Sequence, residues 1–307
     1  MMMRRRSFLK GVFAVPVLAR ATRTWGDSRI SRSAAIRSVM SRYISSGRLP
    51  CAVGVVVQRG QVLFQNVVGF ADLETKLPLR DDAIFDVRSL SKPITAIGAM
   101  LLLESGKLTL GDPIERHLPE FRGIQLARSG GLSMPPRQPT ILDLLTHTSG
   151  IPAERPKAVE NLTRTMDRSL AEVIRLVAAQ PLEFAPGEKW RYSSSGFATL
   201  GRIIEVVSNQ SFQSYMDQRV FAPLGMQDSS FLPGPERAKR IPMMYILENG
   251  VLKRDALDVS RKTQVYPAPE FGLCTTAEDL VKVSEMFLNE GVSEAAGFFL
   301  PHPFDQC

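Results

Sequence analysis

A serine and a lysine one helical turn apart are the first residues whose types and spacing could support covalent chemistry. Ser89 and Lys92 belong to the run Ser-Leu-Ser-Lys at the start of an apolar stretch. Residues three apart share a helix face, so the Lys92 amine can lie beside the Ser89 hydroxyl. A serine hydroxyl becomes nucleophilic when a neighbouring base takes its proton, and a lysine can be that base when burial or nearby positive charge lowers its pKa. The pair is therefore a candidate for acyl transfer.

The spacing alone is weak, because Ser7 and Lys10 show the same pattern. An isolated match is usually a helix cap followed by a surface lysine. Residues 89–104 are apolar almost all round, however, which predicts a helix buried inside a domain and a partly desolvated Lys92. The N-terminus of that helix also offers a backbone N–H to a developing oxyanion. These features favour the catalytic interpretation.

A tyrosine followed by two serines is the second candidate. Tyr192-Ser193-Ser194 follows a Pro-Gly-Glu-Lys turn at 186–189. A buried phenol near a lysine can relay a proton, which suits general acid–base catalysis. This pattern is also weak by itself, since a tyrosine in a loop usually packs and makes one hydrogen bond.

Composition and charge are those of a globular protein. The 307 residues are 44% hydrophobic and 22% charged, which suits about two domains and excludes collagen-like, disulfide-scaffold and disordered classes. The formal net charge is +7, but residues 1–21 contain five basic and no acidic residues, so the remainder carries +2. Because that remainder has no basic face interleaved with aromatics, we expect no nucleic-acid partner.

The N-terminus has the pattern of an export signal. Arg5 and Arg6 precede Ser-Phe-Leu-Lys, a nine-residue apolar run and the small-residue site Ala19-Arg20-Ala21. This resembles a twin-arginine signal over residues 1–21, with a basic amphipathic helix as the alternative. A membrane span needs about 20 apolar residues, so no stable membrane span is expected. The sequence thus predicts a periplasmic or secreted protein.

Cysteine and histidine usage gives no sign of a metal. Cys51, Cys274 and Cys307 allow one disulfide and one free thiol, without indicating the pair. The three histidines are isolated, and neither a Cys-x-x-Cys nor a Cys/His ligand spacing occurs. We therefore expect no metal and no cofactor.

The elements that would position these groups can be placed roughly. Residues 28–47 form a polar helix, and 52–58 and 61–68 form a hairpin about Arg59-Gly60. Residues 71–85 read as a loop, and a Gly/Pro-rich stretch occupies 123–139. Capping residues predict further helices, namely one from Thr140 with Asp143 that ends at Gly150, one at 170–180 after Ser169, and one at 277–289 after Thr276. Helices at 196–207 and 211–219 complete a helical middle.

Five segments together resemble one known family. They lie at 85–121, 141–152, 186–207, 221–231 and 271–280, and they run from FDVRSLSKPITAIG to FGLCTTAEDL. In this order they resemble the serine β-lactamase and penicillin-binding-protein-like hydrolases, specifically the branch related to class C β-lactamases. The resemblance covers about residues 30–290.

The resemblance implies an α/β (α+β) fold, an antiparallel sheet flanked by helices with an inserted, mainly helical domain. After the signal, 28–85 would begin the α/β domain, 86–265 would be mainly helical, and 266–307 would return to the sheet. Ser89 would be the acylated nucleophile, Lys92 its activating partner and Tyr192 a sharer of proton transfer. The family's chemistry implies ester, β-lactam or cell-wall peptide substrates.

The chain departs from the family's pattern at three places. Ser194 stands in the substrate-binding position where the family usually has Asn, which mildly favours a simple ester over an amide. Cys274 replaces a small or polar residue. The third box, Lys/His-Thr/Ser-Gly, does not occur, and His147-Thr148-Ser149-Gly150 corresponds to a conformational element instead. That box supplies the second oxyanion donor, whose loss typically costs about 10²–10³ in rate.

After residue 291 the sequence no longer follows the pattern, and we interpret it as a truncated or frameshifted reading frame. The family's closing strands would then be missing, which predicts an unpaired edge and an uncovered apolar face at 52–58 and a tendency to aggregate. Two functions stay open: a serine hydrolase that forms an acyl-enzyme, and an impaired remnant or non-catalytic module that binds cell-wall peptides. No Gly-x-Ser-x-Gly or nucleotide-binding glycine motif supports another class.

Overall fold

The structure is a computed structural model that describes residues 21–255, 264–293 and 296–297. The predicted export signal, apart from Ala21, lies outside the described residues, as does Cys307. Among the described residues, no helix combines the length and the apolar character needed to cross a membrane.

Ten α-helices lie in the described part of the chain. They are α1 (Ala21–Ser45), α2 (Ser91–Glu104), α3 (Ile114–His117), α4 (Ile141–Leu145), α5 (Leu162–Thr165), α6 (Leu170–Ala178), α7 (Ser194–Ser208), α8 (Phe212–Met216), α9 (Gly234–Ala238) and α10 (Ala277–Leu288). A π-helical turn, Asp217–Phe221, follows α8, so the single helix predicted at 211–219 is divided.

The described strands are short apart from the first two. They are β1 (Cys51–Gln58), β2 (Gln61–Asp72), β3 (Leu77–Pro78), β4 (Phe85–Asp86), β5 (Leu126–Arg128), β6 (Gly131–Ser133), β7 (Tyr245–Glu248), β8 (Val251–Arg254), β9 (Cys274–Thr275), β10 (Val292–Ser293) and β11 (Ala296–Gly297). One sheet has the order β1-β2-β3, and the other strands pair two by two. The mixed fold class with antiparallel sheets and helices is the one predicted.

The predicted N-terminal hairpin is present, and it is longer than predicted. β1 and β2 pair antiparallel from Cys51 opposite Gly69 to Gln58 opposite Gln61. Arg59 and Gly60 both have positive φ, 51° and 73°, which suits a two-residue turn that matches the strand twist. The hairpin therefore supplies a twisted surface for helices to pack on.

Two helices pack on the β1–β2 hairpin, although the sequence predicted that its apolar face would be uncovered. α1 packs on β2, and α10 contacts β1. The approach is close: a Cβ on Gly54 would lie 3.2 Å from the sulfur of Met40 in α1. The prediction of an uncovered face is therefore wrong for this part of β1, whereas its outer edge has no strand partner within the described residues.

Capping residues place three helices as predicted, although one end differs. Thr140 and Ser169 each form a reciprocal capping box, with Asp143 and Glu172, and the Thr276 side chain caps α10. Helix α4 nevertheless ends at Leu145, well before the predicted stop. Gly150 does not end this helix. It allows a close backbone contact, because a Cβ at this position would collide with the carbonyl of Phe184.

Two regions predicted as irregular contain short strands. The stretch 71–85 includes the end of β2, β3 and the start of β4, and 123–139 includes the hairpin β5–β6. These strands of two or three residues are too short to show a period-two pattern in the sequence. β4 pairs with β9, which joins the predicted first and last segments of the fold. The domain boundaries themselves stay a prediction.

The helical part of the molecule encloses the main apolar core. Helix α2 packs against α7 and α8, and α7 also contacts α4 and α6. Buried side chains from these helices include Ile97, Leu102, Val173, Leu200 and Phe212. This packing fixes the start of α2 next to the start of α7, where the candidate residues lie.

Candidate active site

Ser89 lies on a tight 3₁₀ turn, Arg88–Leu90, immediately before α2. Helix α2 thus starts two residues later than predicted. The turn is held because the N–H of Val87 donates to the carbonyl of Leu273 (3.1 Å) and that of Leu90 to the carbonyl of Val87 (3.1 Å). Arg88 has φ 51°, a conformation that turns the chain sharply. As a result, Ser89 is exposed at the end of a rigid helix.

Lys92 lies one turn along the same helix and points its amine at the serine. Its Nζ is 3.3 Å from Ser89 Oγ and donates to the backbone oxygen of Glu270 at 2.7 Å. The residue is only 4% exposed. The amine also lies over the Tyr192 ring, 4.7 Å from its centroid. Few water molecules can therefore compete for the amine.

Tyr192 reaches the same hydroxyl from the segment before α7. Its Oη donates to Ser89 Oγ at 2.8 Å, across 103 positions of sequence. The backbone on either side is held by His147, whose carbonyl accepts from the N–H of Arg191 and whose Nδ1 accepts from the N–H of Ser193. The structure thus brings Ser89, Lys92 and Tyr192 together, while their catalytic roles remain a prediction.

Ser194 is the first residue of α7 and is half-buried. Its neighbour Ser193 caps the helix, with Oγ accepting from the N–H of Gly196 at 3.0 Å. Ser194 makes no hydrogen bond to Ser89, Lys92 or Tyr192 in the described part of the chain. Its predicted role in substrate binding is not decided by this geometry.

His147 shapes the wall of the site more directly than its motif suggested. Its ring centroid lies 4.7 Å from that of Tyr192 and 6.1 Å from that of the exposed Trp190. Burial, with a further contribution from the charge of Lys92, lowers the pKa of His147. The imidazole is therefore neutral at neutral pH, which agrees with Nδ1 accepting a backbone hydrogen bond. It supports the tyrosine without contacting the serine.

The sequence did not identify Glu270 as part of the site. This acid is fully buried, and its contribution to the site is a main-chain carbonyl, which has no side-chain signature. The one available signal was a single charged residue in the apolar run Tyr-Pro-Ala-Pro-Glu-Phe-Gly-Leu at 266–273. A lone acid in such a run predicts a buried, paired carboxylate.

The described residues contain no group of His, Cys, Asp or Glu placed to hold a metal ion. Cys51 and Cys274 are not joined to each other by a disulfide, and burial raises the pKa of the Cys51 thiol to about 11. At neutral pH that thiol is protonated and a poor nucleophile. Among the described residues, the arrangement best suited to covalent chemistry is the hydroxyl with its amine and phenol.

We expect Tyr192→Phe to slow acylation of Ser89 by about 10²–10³-fold, within the range of a lost acid–base group. The substitution removes the hydroxyl that donates to Ser89 Oγ and keeps the ring against Lys92 and His147. The measurement is the pre-steady-state rate of acylation by a nitrophenyl ester. An acylation rate within threefold of wild type would show that the phenol takes no part in proton transfer.

Comparison with known proteins agrees with this fold. The family model described as Beta-lactamase matches residues 35–297. Esterase EstB of Burkholderia gladioli is 30% identical, with 87% of this chain and 74% of that protein covered. Protein Rv1367c of Mycobacterium tuberculosis (strain ATCC 25618 / H37Rv) is 32% identical, with 87% and 68% covered.

Solved structures show the same fold at lower identity. EstCE1, described as a hydrolase with promiscuous acyltransferase activity, superposes with a TM-score of 0.76 at 24% identity, covering 90% of this chain and 76% of that one. A class C beta lactamase from Rhodobacter sphaeroides gives a TM-score of 0.64 at 21% identity, covering 88% and 67%.

The fold and the family of these relatives define an enzyme of the serine hydrolase class, with esterase or β-lactamase-like activity. The chain belongs to the Beta-lactamase family. The resemblance seen in the sequence is therefore confirmed at the level of the family.

Proposed function

We propose that the protein hydrolyses small, neutral carboxylic esters through an acyl-enzyme on Ser89. The main support is that one exposed hydroxyl oxygen lies within 3.3 Å of the Lys92 amine and within 2.8 Å of the Tyr192 phenol. The similarity to Esterase EstB favours an ester over other acyl donors.

The proposed reaction has two steps that use the same groups. Ser89 Oγ bonds to the ester carbonyl carbon while its proton passes to the pair formed by Lys92 and Tyr192. The bond to the alcohol oxygen then breaks, and the alcohol leaves with that proton. Water next attacks the acyl-enzyme, its proton passes through the same pair to Ser89 Oγ, and the carboxylic acid departs.

A neutral, partly apolar substrate fits the surroundings of the hydroxyl. Leu90, which follows Ser89 in the chain, and Trp190, whose ring lies 6.1 Å from that of His147, are 54% and 67% exposed. Arg191, next to Tyr192 in the sequence, is already paired with Glu183 at 2.9 Å. A charged acyl group would have to compete with such a pair, whereas an apolar group gains contact with the two exposed side chains.

Ser194 supports an ester over an amide or a β-lactam. By resemblance, the family usually has Asn at this position, which can donate to and accept from a substrate amide at the same time. A hydroxyl carries its donor and its acceptor on a single oxygen, whereas the Asn side chain has them on two separate atoms, so the two polar groups of a substrate amide no longer each have their own partner there. We expect kcat/KM for a short-chain nitrophenyl ester to exceed that for a chromogenic β-lactam by at least about tenfold, in line with the loss of one or two hydrogen bonds.

The experiment compares both substrates with wild type and with Ser194→Asn. We expect Ser194→Asn to bring kcat/KM for the β-lactam closer to kcat/KM for the ester, because the Asn side chain restores the second hydrogen-bond partner of the substrate amide. Faster turnover of the β-lactam than of the ester by the wild-type chain would contradict the proposal.

The third box bears on how fast this chain works. The 307 residues contain no Lys/His-Thr/Ser-Gly motif, and one missing oxyanion donor corresponds to about 10²–10³ in rate. We propose slow turnover for that reason. A chain that binds cell-wall peptides with no acylation of Ser89 would instead favour the non-catalytic alternative.

We propose export to the periplasm or beyond through the twin-arginine pattern at Arg5 and Arg6. Cell fractionation of wild type and of Arg5→Lys/Arg6→Lys tests this. The wild-type chain is expected in the exported fraction and the variant in the cytoplasm. Equal cytoplasmic retention of both would contradict the proposal.

A further inference from the structure

A fully buried acid lies directly behind the lysine of the site. Glu270 belongs to a segment, residues 266–273, that we name the platform loop. Its carboxylate accepts from Arg155 (Nη2–Oε1 2.8 Å) and from Tyr266 (Oη–Oε1 2.9 Å), and its backbone oxygen accepts from Lys92 at 2.7 Å. One residue therefore connects a buried ion pair to the amine that faces Ser89.

Stability alone does not explain a buried ion pair such as that between Arg155 and Glu270. Removing two charges from water costs more than their attraction often returns, and apolar residues of similar size commonly stabilise as well or better. Glu270 has no exposed surface, and the Arg155 side chain is only 16% exposed. The guanidinium also lies over the ring of Phe271, 5.0 Å from its centroid. What the pair supplies is a fixed, directional geometry.

Tyr266 gives the carboxylate a second fixed donor. The residue is fully buried, and burial, reinforced by the negative charge of Glu270, raises its pKa well above the usual value. The phenol therefore stays protonated and donates at any ordinary pH. With Arg155, it holds the Glu270 side chain at two points.

The platform loop is also joined to helix α2 on the side of the site. Thr95 Oγ1 donates to the carbonyl of Pro269 at 2.7 Å, and the N–H of Leu273 donates to Ser91 Oγ at 2.9 Å. Ala268 has φ 48°, a backbone conformation that must be held by its surroundings. The position of the Glu270 carbonyl thus depends on contacts made by both faces of the loop.

We infer that Arg155, Glu270 and Tyr266 are positioning residues that direct the Lys92 amine at Ser89. With one N–H fixed on the Glu270 carbonyl at 2.7 Å, the directions open to the rest of the Lys92 amine are restricted, and Ser89 Oγ lies 3.3 Å from the amine nitrogen. The inference rests on the proposed roles of Ser89 and Lys92, and the three residues act through Lys92 without touching the serine.

The double variant Glu270→Gln/Arg155→Met replaces the ion pair by a neutral pair of similar size. We expect the rate at which a fluorophosphonate labels Ser89 to fall about ten- to hundredfold, as for a small misplacement of a catalytic group. The probe concentration that gives half-maximal rate should stay unchanged. The matched control, Asp279→Asn/Lys282→Met, removes another buried carboxylate and its lysine (2.8 Å) in α10 and should keep the wild-type labelling rate.

Two further measurements keep the inference testable if the double variant folds poorly or labelling fails. Tyr266→Phe removes one hydroxyl and keeps the ring, and it should slow labelling in the same direction. In protein with ¹³Cε-labelled lysine, the Lys92 resonance, assigned by its loss in Lys92→Met, should move at a fixed pH in Tyr266→Phe and in the double variant.

An unmoved Lys92 resonance in a folded variant would overturn the inference, as would a folded variant labelled at the wild-type rate. Failure of the proposed function has a different signature: the wild-type protein would then show no labelling at Ser89. In that case the lysine resonance still decides whether the platform loop positions the amine.

Discussion

Ser89→Ala is expected to reduce ester hydrolysis at least about a thousandfold, to the level left by substrate binding alone. The substitution removes the oxygen on which the Lys92 amine and the Tyr192 phenol converge at 3.3 Å and 2.8 Å. Neither group has another nucleophile to activate in the described part of the site. The measurement is kcat/KM for a nitrophenyl ester on purified protein.

Ser105→Ala is the matched control for this experiment. Ser105 follows the other end of α2, and its hydroxyl donates to the carbonyl of Leu102 at 3.0 Å. The Ser105→Ala substitution should leave kcat/KM unchanged within about twofold, because substitutions of exposed residues away from a site usually have small effects. If Ser89→Ala kept more than a tenth of wild-type activity, the covalent mechanism would be wrong.

Lys92→Met is expected to lower the acylation rate by about 10²–10⁴-fold with little change in KM. Methionine has a similar length and fills the buried space, but it cannot accept the Ser89 proton. The substitution removes two contacts at once, the one from the amine to Ser89 Oγ and the one from the amine to the Glu270 carbonyl. A fall in kcat with little change in KM distinguishes this role, because the loss of a lysine that only binds substrate would raise KM instead.

Lys282→Met provides a lysine control outside the site. Its amine also donates to a backbone carbonyl, that of Gly225 at 2.6 Å, and pairs with Asp279. This variant should lose some stability and keep the wild-type acylation rate. If Lys92→Met behaved in the same way, the activating base would have to be sought elsewhere, with Tyr192 the next group to examine.

The part of the site that sequence could predict is the part that local geometry determines. Ser89 and Lys92 are one helical turn apart, so an amphipathic or buried helix at 89–104 is enough to place the amine beside the hydroxyl. Tyr192 lies 103 residues away, and its place at the same oxygen followed from the resemblance to a family, since spacing carries no such information. The short contact of 2.8 Å is a product of tertiary packing.

The remainder of the site depends on groups without a sequence signature. The Glu270 carbonyl is a backbone atom, and its importance becomes visible when the buried Arg155–Glu270 pair and the Lys92 contact are seen together. His147 was recognised as part of a conformational element, yet its neutral ring against Tyr192 depends on burial next to Lys92. Both follow from long-range contacts.

Helix boundaries show the same division between local and tertiary causes. The capping boxes at Thr140 and Ser169 are formed by residues three apart, and the structure contains both. The end of α4 is different, because the chain turns at His147, with φ 60°, to bring that ring to the site. Gly150 then serves the close approach to Phe184, so a glycine that resembles a helix stop has a packing role.

Peptide mapping of the fluorophosphonate-treated protein tests the central claim most directly. The covalent adduct is expected on the peptide that contains Ser89, with fragmentation placing it on that residue and with loss of the adduct in Ser89→Ala. An adduct on another residue, or undiminished labelling of Ser89→Ala, would contradict the assignment of Ser89 as the nucleophile.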